Sequence, residues 1–108
     1  MLHPEVATCL NNLALVLYAT NRLGEAEPLV RRALAIDEAS YGPGHPAVAM
    51  DLANLSTLLH ARNRLGEAEP PYRRALAIFE KSLGTDHPIT VGVREKLAAL
   101  EAARNRGT

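Results

Sequence analysis

The stretch Asn21-Arg22-Leu23-Gly24-Glu25-Ala26-Glu27-Pro28 returns unchanged as Asn63-Arg64-Leu65-Gly66-Glu67-Ala68-Glu69-Pro70. A little further on, Arg31 to Ile36 repeats letter for letter as Arg73 to Ile78. The offset of 42 holds outward in both directions. Residues 3–44 laid over 45–86 share about 26 identities and need no gap. His-Pro opens each copy, at His3-Pro4, His45-Pro46 and His87-Pro88. Self-similarity at a fixed period marks a stacked architecture, in which each unit buries its apolar face on its neighbours. The sequence is therefore expected to form a single array over 1–108: repeat one at 3–44, repeat two at 45–86, and a half repeat, or cap, at 87–106.

Each unit holds two helical patterns. Val6, Leu10, Leu13 and Leu17 recur at steps of four, three and four, which is one face of a helix, and Val48, Leu52, Leu55 and Leu59 repeat them. Pro4, Pro46 and Pro88 suit a first helical position, where the missing N–H has no partner to lose. Asn-Arg-Leu-Gly breaks this pattern. A second helix follows, with Ala26, Val30, Ala33 and Leu34 inward, then Ala68, Tyr72, Ala75, Leu76 and Phe79 in the next copy. Gly42 and Gly84 are good stops. No alternating strand pattern occurs. Five antiparallel helices are expected, near 4–20, 24–41, 46–62, 66–83 and 88–104. Pro28 and Pro70 fall early in the second helices, about where unpaired N–H groups make proline tolerable, and Pro71, one step deeper, is expected to cost more and tilt the start of its helix.

Composition narrows the function. Apolar residues make up 47% of the 108, which is typical of a globular chain. The 12 basic and 12 acidic residues cancel. That balance argues against nucleic acid, whose binding rests on clustered Lys and Arg, and against an anionic membrane surface. No run approaches the roughly 20 apolar residues of a membrane span, and no signal peptide opens the chain. One cysteine, Cys9, leaves no internal disulfide, so a reducing compartment, the cytoplasm, is expected. Richness in Ala, Arg and Gly points to a bacterial source of high-GC genome.

These residues resemble the tetratricopeptide repeat. That family sets large, large, small and large residues along the first helix of each unit. Here they are Leu10, Leu13, Ala14 and Leu17, then Leu52, Leu55, Ser56 and Leu59. On the second helix Ala26, Val30 and Ala33, then Ala68, Tyr72 and Ala75, match its small, aromatic, small pattern. Leu stands at the family's Trp position, Val30 at its aromatic, and Glu38 and Glu80 where a late Pro belongs. The 42-residue period, with Leu-Asn-Asn-Leu-Ala, Glu-Ala-Glu-Pro-Leu, Arg-Arg-Ala-Leu-Ala-Ile and Gly-x-x-His-Pro, is similar to the kinesin light chain type of repeat. The resemblance implies an all-α, right-handed α-solenoid of antiparallel helix pairs. It also implies protein binding, in a scaffold or adaptor module, with no enzyme activity.

In that family the first helices line a concave face that receives an extended peptide. The groove positions carry over as Thr8, Asn11, Asn12, Leu15, Tyr18 and Ala19, then Met50, Ala53, Asn54, Thr57, His60 and Ala61. Asn12 and Asn54 stand where family asparagines pair with ligand backbone, since an amide both donates and accepts. The third copy has Lys96 there, preceded by Glu95.

Other candidates are structural. His3, His45 and His87 are periodic, but each sits at its own turn, too far apart to share one metal, so capping before a helical Pro is expected. No metal and no cofactor is expected. Cys9 lacks any local catalytic signature. Arg31-Arg32 and Arg73-Arg74, with Glu25, Glu27 and Glu38, read as a solvated, self-paired surface. The last helix reads as a cap, with Arg94 and Glu101 outward where Leu52 and Leu59 stand in repeat two. The first helix lacks such protection. It carries Leu2, Leu15, Val16 and Tyr18 and no charge from Val6 to Asn21. A homodimer through Leu15, Val16 and Tyr18, or contact with an upstream repeat, is expected. The contrasting function is a structural spacer, or a fragment of a longer array in a multidomain signalling protein, with no ligand of its own.

Overall fold

The computed structural model describes residues 3–106. They form five α-helices: α1 Pro4–Ala19, α2 Leu23–Tyr41, α3 Pro46–Ala61, α4 Leu65–Leu83 and α5 Pro88–Arg106. No strand occurs among the described residues. The bounds of α3 and α4 are those of α1 and α2 moved by 42. α1 packs on α2, α2 on α3, α3 on α4 and α4 on α5, each helix antiparallel to its neighbour. The stack is flattened and open, with extents of 44 × 33 × 19 Å, and not a closed bundle.

Local chemistry sets the ends. Asn21 and Asn63 take the left-handed conformation, with φ of 60° and 61°. Arg22 N–H donates to the Leu17 carbonyl at 2.7 Å and Asn21 N–H to Tyr18 at 3.0 Å; Arg64 and Asn63 repeat this with Leu59 and His60. This double closure satisfies carbonyls that a helix end leaves open, and asparagine is the residue after glycine that tolerates it best. The turn signal therefore lies in Asn, not in Gly24 and Gly66, which already belong to α2 and α4. Those helices start one residue earlier than expected. Pro28 and Pro70 are thus sixth in their helices and Pro71 seventh, beyond the first turn. The carbonyls that Pro28 and Pro70 leave unbonded belong to Gly24 and Gly66, both exposed. Gly42 and Gly84, at φ of 89° and 94°, end α2 and α4 as expected.

The histidines cap. His45 Nδ1 accepts the Ala47 N–H at 3.0 Å and His87 Nδ1 the Ile89 N–H at 3.1 Å. His3 does not, and faces Glu5 instead. Among the described residues no group of three His, Cys, Asp or Glu side chains could hold a metal ion.

Small residues bring the helices together. Ala14, Ala26, Ala33, Ser56, Ala68 and Ala75 are all buried, and Val30, Leu59, Tyr72 and Phe79 fill the space they leave. Full burial of an aromatic or aliphatic side chain contributes about 1.5–3 kcal/mol, so these positions dominate the core. The first helix departs from the expected facing. Val48, Leu52, Leu55 and Leu59 are buried, but in α1 only Leu17 is; Leu10 is half-buried, and Val6 and Leu13 are exposed. The buried side of α1 carries Ala7, Ala14 and Leu17, and no described element lies on the side of Val6 and Leu13. Leu2, also assigned to the apolar surface of this helix, lies outside the described residues.

α5 corrects a second expectation. Arg94 and Glu101 are half-buried, and Arg94 Nη2 reaches Glu80 Oε2 at 3.3 Å while Arg73 of α4 donates to Glu101. They clasp α5 to α4 where leucines serve in α3. Glu27 is likewise no surface residue. At 8% exposure it accepts from Arg31 at 3.0 Å, Arg62 at 2.8 Å and Arg64 at 2.7 Å, tying α2 to the end of α3. Burial works against its charge, but the three guanidiniums outweigh it and hold the carboxyl below its usual range. Glu69 repeats the arrangement with Arg73 and Arg104.

Candidate protein-binding groove

The first helices of the two units and α5 stand side by side, and a cavity of about 160 Å³ opens between them. α1 contributes Asn11, Ala14, Leu15 and Tyr18; α3 contributes Asn54, Thr57 and Leu58. Val30 of α2 forms the floor, and Lys96 of α5 stands at the edge. The lining is mostly apolar and carries no acidic group.

Five expected groove residues therefore meet: Asn11, Leu15, Tyr18, Asn54 and Thr57. The others do not line the cavity. Thr8 is exposed and donates its hydroxyl to the Pro4 carbonyl; Met50 is exposed near the start of α3; His60 is half-buried near its end. Asn12 is exposed, although its counterpart Asn54 lines the cavity. Position 12 faces the uncovered side of α1, whereas position 54 faces α1 itself. Ala53 is buried and offers nothing to a ligand.

Two of the five are already engaged. Asn11 Nδ2 donates to Asp51 Oδ1 at 2.7 Å. Thr57 Oγ1 donates to the Ala53 carbonyl at 3.0 Å, which leaves Tyr72 Oη to donate to it at 2.8 Å. Asn54 forms no side-chain hydrogen bond and Lys96 no ion pair among the described residues, so each keeps its full capacity. Leu15 and Tyr18 are 55% and 41% exposed. The contribution of Leu58 and Val30 was not read from the sequence, although Val30 sits on the inward stripe of its helix. Nor was the buried polar contact of Asn11, Asp51 and Asp37, which could have been found as polar residues in columns that are apolar in the next repeat.

An open stack of antiparallel helix pairs, with small residues at each crossing and a cavity between successive first helices, defines the class. The family model described as tetratricopeptide repeat matches residues 5–81. The chain belongs to that family. Solved structures of kinesin-light-chain-like proteins share its fold. BtubC (BKLC) from P. vanneervenii superposes with a TM-score of 0.87 at 21% identity, over 94% of this chain and 41% of that one. A putative kinesin light chain from Podosopora anserina with nearly identical TPR-like repeats gives a TM-score of 0.86 at 24% identity, over 98% and 50%. A single-substitution variant of that protein gives 0.85 at 24%, over 98% and 50%. The chain thus spans half or less of the length of these proteins. Nothing among the curated proteins matches it. As a tetratricopeptide-repeat domain it is of the kind that generally mediates protein–protein interaction. No helix of the described residues is long and apolar enough to cross a membrane.

Proposed function

We propose that residues 3–44, 45–86 and 87–106 act as one non-enzymatic array that binds an extended peptide along the face formed by α1, α3 and α5. The observation that carries this reading is the uncommitted Asn54 amide inside an apolar cavity. Its oxygen and nitrogen can pair with one peptide unit while Leu15, Tyr18 and Leu58 take a side chain. At about 160 Å³ the cavity suits one residue of a peptide, not a whole small-molecule ligand of roughly 300–1,000 Å³. Thr8, Met50 and His60 would extend the contact along the helices. A displayed peptide library selected on the full chain tests the reading. Asn54→Ala should weaken the selected peptides about 5–10-fold, the loss of roughly one hydrogen-bond pair, with unchanged thermal stability. Unchanged affinity, or selection of no peptide at all, would favour the spacer function.

A second reading concerns partners. Leu13, Leu15 and Val16 are 50%, 55% and 59% exposed on one helix. This exposed apolar surface supports a homodimer through Leu15, Val16 and Tyr18, of which Leu15 and Tyr18 also line the groove.

A further inference from the structure

Two carboxylates meet inside the joint between the first helix pair and the second. Asp37 of α2 is 5% exposed and Asp51 of α3 is 1% exposed, and their side chains lie in hydrogen-bond contact. Asn11 of α1 donates to Asp51 Oδ1, while Asp51 Oδ2 and Asn11 Oδ1 are buried without a donor. Three helices thus bring a surplus of acceptors together. An ionised carboxylate can only accept, so contact between two of them is a bond only if one carries a proton. Burial, then the carboxyl of Asp37, push Asp51 up to about 8 against the smaller opposing pull of Asn11.

No cation answers these groups. α1 presents only the neutral Asn11 amide to Asp51. On α2 the charged neighbours are taken. Glu38 receives Arg74 of α4 at 3.3 Å, and that guanidinium also donates to the Pro43 carbonyl. Glu27 receives Arg31, Arg62 and Arg64. On α3 the titratable groups besides Asp51 are His45, engaged with the Ala47 N–H, and His60 near the far end. Tyr72 of α4 is bonded to Thr57. None of these forms an ion pair with Asp37 or Asp51 among the described residues.

The next joint of the same stack is built differently. Forty-two residues on, Asn11, Asp37 and Asp51 become Ala53, Phe79 and Val93, all buried and none titratable.

We propose that the first joint is a proton-gated hinge: a proton on Asp51, held against the Asp37 carboxyl, seats α3 on α2, and its loss in alkaline solution opens that joint while the second joint, which buries no pair of carboxyls, stays closed. With Asp51 ionised, its buried charge would face the Asp37 carboxyl with no donor at Oδ2, and the relief open to it is separation and hydration. The hinge needs no ligand and stands apart from the groove reading.

The test follows Asp carboxyl carbons of the full chain by NMR from pH 3 to 10, beside urea unfolding and amide exchange corrected for its intrinsic rate. One aspartate should titrate near pH 8. The urea midpoint should fall as pH rises from about 4, the unfolded aspartate value, to about 8 and level off above it, and exchange at the upper end should quicken in α1 and α2 more than in α4 and α5. Asp51→Asn, which keeps the shape and removes the titration, should flatten the midpoint over that range. Asp37→Asn serves the same purpose from the other side if Asp51→Asn loses its helical circular dichroism. Titration of every aspartate below about pH 5, an undiminished fall in the variant, or exchange that rises evenly across both joints would overturn the hinge.

Discussion

Leu13 and Leu55 occupy the same step of successive repeats, yet Leu13 is 50% exposed and Leu55 3%. Leu55 sits inside the cluster that α2, α3 and α4 build together, whereas no described element covers Leu13. One residue type at one register position therefore has two energies. Leu55→Ala should cost about 2–5 kcal/mol, because it removes buried methyl groups and leaves a cavity. Leu13→Ala should cost less than about 0.5 kcal/mol at low protein concentration. Urea unfolding of the two variants side by side measures the contrast. Equal losses would place Leu13 in a core that the fold does not contain.

Glu27 makes a prediction with acid. Its carboxyl is held below the usual range, so the folded state binds fewer protons than the unfolded chain as pH drops toward 4. Its contribution is present above the unfolded pKa, near 4.3, and is lost as pH falls through the folded one. Glu27→Gln should destabilise the protein by about 1–2 kcal/mol at pH 7, since three charge-assisted bonds are weakened, and by much less at pH 3. Thermal unfolding at the two pH values gives the difference. A variant equally impaired at both would have lost packing and not charge.

Ala75 reports on helix approach. It is fully buried where α4 meets its neighbours, as is Ala33 in the preceding unit. Leucine there has no space to enter without pushing the helices apart. Ala75→Leu should cost roughly 1–3 kcal/mol, and chemical denaturation detects it readily. A neutral outcome would require a void that the packing lacks.

The elements were legible because their signals are local. Pro4, Pro46 and Pro88 start helices, Gly42 and Gly84 stop them, and the stripe from Val48 to Leu59 announces its face. What covers a face is not a local property. Val6 and Leu13 carry the same stripe and stay exposed, because the period gives direction but not neighbours. The ion pairs escaped for a related reason. Glu27 and Arg64 lie far apart in sequence and meet only through stacking, as do Arg73 and Glu101. In the groove, the positions that the family resemblance implies include Leu15, Tyr18, Asn54 and Thr57, which line one cavity. Register could not tell that Asn11 would be spent on Asp51, or that Asn12 would face away from the cavity its counterpart lines.

The uncovered side of α1 yields the last prediction. Val6, Leu13 and Val16 on that side are 38%, 50% and 59% exposed, while Leu15 and Tyr18, at 55% and 41%, lie toward the cavity. In α3 the counterpart of Val16 is Leu58, which is 3% exposed. A second copy placed α1 against α1 would cover this side of α1 on both partners at once, since a two-fold contact is self-complementary. Light scattering over a range of concentrations should then show a monomer passing into a dimer. Val16→Asp enters such an interface twice. At about 1.5 kcal/mol or more for each buried side chain lost, it should weaken the dimer roughly 100-fold or more. The folded monomer should be little affected, because position 16 points away from its core. A strict monomer at all concentrations would refute the contact. A dimer untouched by Val16→Asp would move the interface to another face.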